Sequence, residues 1–139
     1  MISGEIRIRP RYGEVDRMGY VYHANYVDYC HQARTELLRD IGIGDSELEE
    51  HNIMLPVISM NLKYLKPAYY DQTLIVRSFI NEMPVLRLSF DFEIVDDKCQ
   101  KICVAQTTVV FVDARTRKPL RTPDIVKRAL EPYFQPELS

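Results

Sequence analysis

The segment Tyr12-Gly13-Glu14-Val15-Asp16-Arg17-Met18-Gly19-Tyr20-Val21-Tyr22-His23-Ala24-Asn25-Tyr26 places a carboxylate, Asp16, and an imidazole, His23, seven residues apart. A helix pattern begins directly after His23. The first-turn N–H groups of a helix lack partners within it, and with the helix dipole they can polarise a carbonyl and hold the oxyanion formed on attack. A carboxylate beside them can attack that carbonyl or activate water, which is the chemistry of acyl transfer. The structural alternative is equally plain: Asp16 as a turn former or ion-pair partner, and His23 as a satisfied residue at the helix start. Glu14 lies close enough to raise the pKa of Asp16, or to point to solvent, and is read as support.

The elements that must position this loop follow from periodicity. Residues 5–12 alternate, with Ile6 and Ile8 against charged neighbours, and read as a strand that Pro10 confines to an edge or end. From Gly13 to Ala24 there is no period, and Gly13 and Gly19 give a folded loop its freedom. Tyr26, Cys30, Ala33, Leu37 and Ile41 form one apolar stripe of a helix from about Asn25 to Ile41, with Asn25 as N-cap, Asp28 near the positive end and Gly42 as the stop. A short helical turn at Asp45–His51 follows. Four strands come next: 58–64, with Ile58, Met60, Leu62 and Tyr64 on one buried face; 73–82; 86–94; and, after a hairpin turn at Asp96-Asp97-Lys98, a central strand 101–113. Pro123 to Phe134 suggests a C-terminal helix. One striped helix is buried by wrapping an antiparallel sheet around it, an α+β solution, and an exposed edge among such long strands invites a second copy.

Composition narrows the classes. At 139 residues, 46% hydrophobic and 27% charged, the chain fits a single domain over 1–139 and is neither disordered nor fibrous. No apolar run is long enough to span a bilayer and the first residues lack a signal-peptide pattern, so a cytoplasmic location is expected. A net charge of -2 gives no reason to bind nucleic acid. Cys30, Cys99 and Cys103 suggest neither a disulfide framework nor a zinc site and are read as reduced packing residues. His31 and His51 belong at the surface, and no metal set is seen. Arg115, Arg117, Lys118 and Arg121 gather four cations that can bind phosphates, or simply be solvated; Lys63 and Lys66 are the lesser alternative. Tyr20, Tyr22, Tyr26 and Tyr29 can line an acyl tunnel or pack a core or interface.

The stretch Tyr12 to Arg39, with Asp16, Gly19, Val21, His23, Asn25-Tyr26 and Ala33-Arg34-Thr35-Glu36-Leu37-Leu38, resembles the 4-hydroxybenzoyl-CoA thioesterase family, particularly its YbgC-like acyl-CoA thioesterase branch. The likeness continues more loosely to Phe111-Val112-Asp113 and Lys118-Pro119. It implies a hotdog fold, a long central helix wrapped by a five-stranded antiparallel sheet, assembled as a homodimer or homotetramer with sites at subunit interfaces. It also implies that Asp16 is the catalytic carboxylate and that a backbone N–H at or beside His23 polarises the thioester. Histidine at that position fits the YbgC-like branch; the 4-hydroxybenzoyl-CoA enzymes carry an aromatic residue there, so aliphatic acyl groups are favoured.

The expected activity is hydrolysis of acyl-CoA, or of an acyl carrier protein thioester, with no cofactor. Substrate contacts are expected from Tyr22, Tyr26, Arg117 and Lys118. A hotdog dehydratase or hydratase, and a non-catalytic acyl-CoA-binding module, are the competing readings.

Overall fold

A computed structural model describes residues 1–134. Its elements are β1 (Ile2–Ile8), α1 (Asn25–Asp40), α2 (Asp45–Glu50), β2 (Ile53–Met54), β3 (Val57–Tyr64), β4 (Leu74–Ile80), β5 (Arg87–Asp96), β6 (Lys101–Asp113), β7 (Pro119–Leu120) and α3 (Asp124–Leu130), with 3₁₀ turns at Tyr12–Glu14 and Glu131–Tyr133. The five long strands pair antiparallel in the order β1-β4-β5-β6-β3. This is the α+β arrangement expected. Two additions were not legible as strands: β2 and β7, two residues each, pair with the far end of β6.

Helix α1 lies across β1 and β4. Tyr26, Cys30, Ala33 and Leu37 of the expected stripe are buried, while Ile41 is half-buried just past the helix end. They meet a sheet face built from Leu74, Val76, Phe90, Phe92 and Ile94, each large side chain contributing about 1.5–3 kcal/mol by burial. Close approach of helix to sheet depends on Gly4, where a Cβ would meet Leu37 Cδ1 at 3.0 Å. Gly42, at φ 88°, ends the helix region in the left-handed conformation, as its position suggested.

Several boundaries and roles differ from expectation. Strand β1 starts earlier and stops at Ile8 rather than near Tyr12, because Pro10 has no N–H to continue the ladder. Asn25 is the first helical residue instead of the cap; Ala24 occupies the cap position without a side-chain bond, and Asn25 Nδ2 donates to the Glu14 carbonyl at 2.8 Å. The expected buried face of β3 is covered only at Met60 and Leu62, with Ile58 and Tyr64 exposed, because β3 pairs with β6 alone and its other edge is open. Cys30 and Cys103 are buried packing residues, but Cys99 is exposed in the β5–β6 turn, where φ is 61°. The C-terminal helix is shorter than 123–134, ending at Leu130 before the 3₁₀ turn that contains Pro132.

Candidate active site in the loop before α1

The loop between β1 and α1 is held by its own backbone. Asp16 N–H donates to the Tyr20 carbonyl at 2.8 Å, and Gly19 N–H donates to the Asp16 carbonyl at 3.0 Å. Gly19 sits at φ 80°, which few other residues adopt without strain. Within this turn Asp16 Oδ1 accepts the N–H groups of Met18 at 2.9 Å and Tyr20 at 3.2 Å. The turn-forming reading of Asp16 therefore holds for one oxygen. Oδ2 has no hydrogen-bond partner among the described residues, and the side chain is only half-buried.

Glu14 anchors the base of the loop. Its Oε1 accepts the Tyr29 hydroxyl at 3.0 Å and the Arg11 N–H at 2.7 Å, while Oε2 stands 3.5 Å from the Arg11 guanidinium. Its carbonyl accepts Tyr22 N–H and the Asn25 amide, both at 2.8 Å. Burial and the neighbouring carboxylate push the Tyr29 phenol well above its ordinary pKa, so it remains a donor. Glu14 is thus a staple between the 3₁₀ turn and α1, in keeping with a supporting role.

At the helix start the donors are not those expected from the first turn. Asn25, Tyr26 and Val27 donate to the carbonyls of Tyr22, His23 and Ala24. The N–H groups left without a partner among the described residues are those of His23 and Ala24, one step earlier. The His23 ring is exposed, 4.4 Å from the Tyr22 ring and 6.1 Å from that of Tyr64, whose hydroxyl donates to the His23 carbonyl at 3.2 Å. Tyr64 comes from β3, forty-one residues away, and its contact with the loop had no signal in the sequence beyond an alternating strand. Val21 N–H donates to the Ala68 carbonyl, tying the loop to the β3–β4 connection.

The loop thus carries a carboxylate with one oxygen unpartnered and ends on two unpartnered N–H groups among the described residues, groups of the kinds that acyl transfer uses. The Thioesterase-like superfamily matches residues 10–130, which includes the loop and four of the five long strands, β1 lying before it. The chain belongs to that superfamily. Among its relatives, YneP of Bacillus subtilis is 32% identical over 114 residues, covering 82% of this chain and 83% of YneP. YbgC of Escherichia coli, an acyl-CoA thioester hydrolase, is 33% identical over 116 residues, covering 84% of this chain and 87% of YbgC. The DHNA-CoA thioesterase of Staphylococcus aureus superposes with a TM-score of 0.81 at 28% identity, covering 96% of this chain and 85% of that one. Hydrolysis of a thioester is the activity class that comes with this membership, and the hotdog fold is the architecture its solved members share with this chain.

The other residues picked from this thioesterase's sequence are dispersed. Tyr22 is exposed beside His23, whereas Tyr26 is buried beneath Tyr64, 5.5 Å between rings, with its phenol pushed up to about 12 by burial. Tyr20 pairs edge-on with Tyr69 and faces out. Arg117 and Lys118 are exposed in the β6–β7 hairpin, where Asp113 Oδ1 accepts the N–H groups of Arg115 and Thr116 and Arg117 adopts φ 63°. Those donors, Thr116 foremost, hold the Asp113 carboxyl below the usual range. Along β6 this hairpin is ten residues from Cys103, the partner of Tyr64, or about 33 Å of strand. One chain therefore does not bring the basic hairpin to the Asp16 loop. Among the described residues no group of three His, Cys, Asp or Glu side chains is placed to hold a metal ion, and no helix is long and apolar enough to cross a membrane.

Proposed function

We propose that the chain hydrolyses acyl-CoA to a free acid and CoA, with Asp16 as the reacting carboxylate and the backbone N–H groups of His23 and Ala24 receiving the thioester oxygen. The observation that carries this reading is the split use of Asp16: Oδ1 is fixed by two backbone donors, so Oδ2 is oriented and unspent. As a nucleophile, Oδ2 bonds to the carbonyl carbon, the C–S bond breaks, the CoA thiolate leaves and takes a proton, and water cleaves the resulting anhydride. As a general base, Oδ2 takes a proton from the water that adds to the same carbon. Both routes need the negative charge on Asp16 and the donors that stabilise the oxyanion.

The favoured acyl groups are aliphatic, a reading supported by histidine at position 23. CoA rather than a carrier protein is favoured by the basic hairpin with Arg117 and Lys118, whose charges suit CoA phosphates. That hairpin reaches the site only from a second copy. The open edge of β3, with Val57, Ile58 and Tyr64 about half-exposed, supports antiparallel pairing of two such edges. Such pairing sets the Val57 end of one copy, next to its basic hairpin, beside the Tyr64 end of the other. The working unit is then a cytoplasmic homodimer, or a tetramer of two, each chain being one domain.

The test is thiol release from a panel of acyl-CoA chain lengths by the wild type and by Asp16→Asn. Turnover that falls at least about a hundredfold in the folded variant is the expected result. Binding of acyl-CoA without thiol release by the wild type would indicate a sensor, and unchanged turnover by Asp16→Asn would remove the carboxylate from the mechanism.

A further inference from the structure

Arg34 on α1 is only 9% exposed, and its Nη1 is buried with no hydrogen-bond partner. Its Nη2 stands 2.7 Å from His31 Nδ1 and, having only N–H groups, can be only the donor of that bond. The guanidinium carbon lies 5.9 Å from the centre of the Phe90 ring. Among the described residues no carboxylate comes within ion-pair distance of Arg34. Burial disfavours the charge of Arg34, and Asp45, outside ion-pair distance, favours it, but no anion bonds Nη1 directly, and the group remains charged at any working pH.

Two cavities share Arg34 and His31. The larger, about 380 Å³, lies between α1, α2 and β2 and carries Asp45 and Glu49 in its lining. The smaller, about 50 Å³, lies between α1 and β3, lined by Val27, Cys30, Val57, Met60 and Thr107 with no acidic residue. An anion therefore meets least repulsion from the α1–β3 side. On that side an apolar strip leads back to the catalytic loop: Val27, Val57, Ile58 and Tyr64 are 42–49% exposed. His23, Val27 and His31 follow one another at helical turns, and Arg34 stands eleven residues from His23, about 16 Å of helix. Antiparallel pairing at β3 also sets the Arg34 end of one copy beside the His23 end of the other.

We infer that the Arg34–His31 cavity receives a carboxylate at the distal end of the acyl group, so that the preferred substrates are CoA thioesters of dicarboxylic acids. This rests on the reading above that acyl thioesters bind at the α1 start. The strip contacts the methylene chain, and Nη1 of Arg34 donates to the terminal carboxylate, with charge-assisted geometry that a methyl end cannot satisfy.

The experiment compares glutaryl-, adipyl-, suberyl- and sebacyl-CoA with methyl-ended acyl-CoA of equal carbon number, using wild type and Arg34→Met, a change that keeps the stem and removes the guanidinium. The expected result is that the wild type favours at least one dicarboxylyl thioester by about tenfold or more in kcat/KM, and that Arg34→Met loses this preference while still hydrolysing the methyl-ended ester. A wild type that prefers the methyl end at every length overturns the inference, as does a preference that survives Arg34→Met. An unchanged preference accompanied by dissociation of the oligomer would assign Nη1 to a contact between copies, and also overturns it. Should no acyl-CoA be hydrolysed, the proposed activity falls, and free suberate decides the site alone: a raised melting midpoint in the wild type that is absent in Arg34→Met supports it, and no shift in either refutes it. If Arg34→Met fails to fold, the wild-type preference and the suberate shift decide.

Discussion

The Asp16 carboxylate accepts two backbone N–H groups on Oδ1 and has Oδ2 free among the described residues, so substitution by Asn and by Ala should give different results. Asparagine keeps an acceptor for Met18 and Tyr20 and loses only the charge and basicity; its melting midpoint should stay near that of the wild type while turnover falls at least about a hundredfold. Alanine removes both acceptor bonds as well, about 1 kcal/mol each, so Asp16→Ala should be equally inactive and measurably less stable by thermal unfolding. His23→Ala should be milder than either in kcat, since its backbone N–H survives. At this scale the sequence was informative about residue types and poor about partners. The spacing of Asp16 and His23 before a helix pattern made them candidates, the family resemblance chose between their chemical and structural readings, and Gly19 marked the loop. Tyr64 under His23, the staple from Glu14 to Tyr29 and the buried Arg34 each depend on which segments the fold brings together, information that periodicity does not carry.

Elements were legible where one face is buried against the core and less so where an edge is open. Leu88, Phe90, Phe92 and Ile94 of β5 and Tyr26, Cys30, Ala33 and Leu37 of α1 are buried as expected, because apolar residues at those periods have one stable partner surface, while Leu86 and Ile41, just outside the two elements, are exposed and half-buried respectively. Strand β3 shows the same alternation but stands at an edge, so its apolar face is half-covered in a single chain. The hairpin between β5 and β6 was placed correctly at Asp96, which accepts the N–H groups of Lys98 and Gln100 on Oδ1, both at 2.9 Å. Those donors, Gln100 foremost, hold its carboxyl below the ordinary value. A carboxyl whose folded pKa is depressed stabilises the fold above its unfolded pKa and ceases to do so as pH falls through the folded value. The difference in melting midpoint between wild type and Asp96→Asn should therefore be full at neutral pH and should close on acidification below about pH 4. The β6–β7 hairpin makes a kinetic prediction: Arg117→Glu with Lys118→Glu should raise KM for acyl-CoA far more than it lowers kcat, the sign of lost uniform binding. Equal KM values would return these cations to the solvated role.

For the whole molecule, the open β3 edge and the distance between its two chemical ends belong together. A lysine at Ile58, half-exposed on that edge, sets like charges across a two-fold pairing of β3 strands; Ile58→Lys should sediment as a smaller species and lose turnover in step with the lost assembly. A monomer as active as the wild type would refute the shared site. If the proposed site is shared between two copies, the separation of the basic hairpin from the Asp16 loop along β6 lets two defects cancel. Asp16→Asn spoils the reacting loop, and the Arg117→Glu, Lys118→Glu pair spoils the grip on the nucleotide; each homodimer carries its lesion in both sites. A mixed dimer gathers both lesions into one site and leaves the other whole. Unfolding the two deficient proteins together and renaturing them at equal concentration should yield half mixed dimers, hence about a quarter of wild-type turnover at low acyl-CoA, from parents that at that concentration have little. Genetically the two alleles would complement each other within one gene, as lesions confined to a single chain's own site cannot.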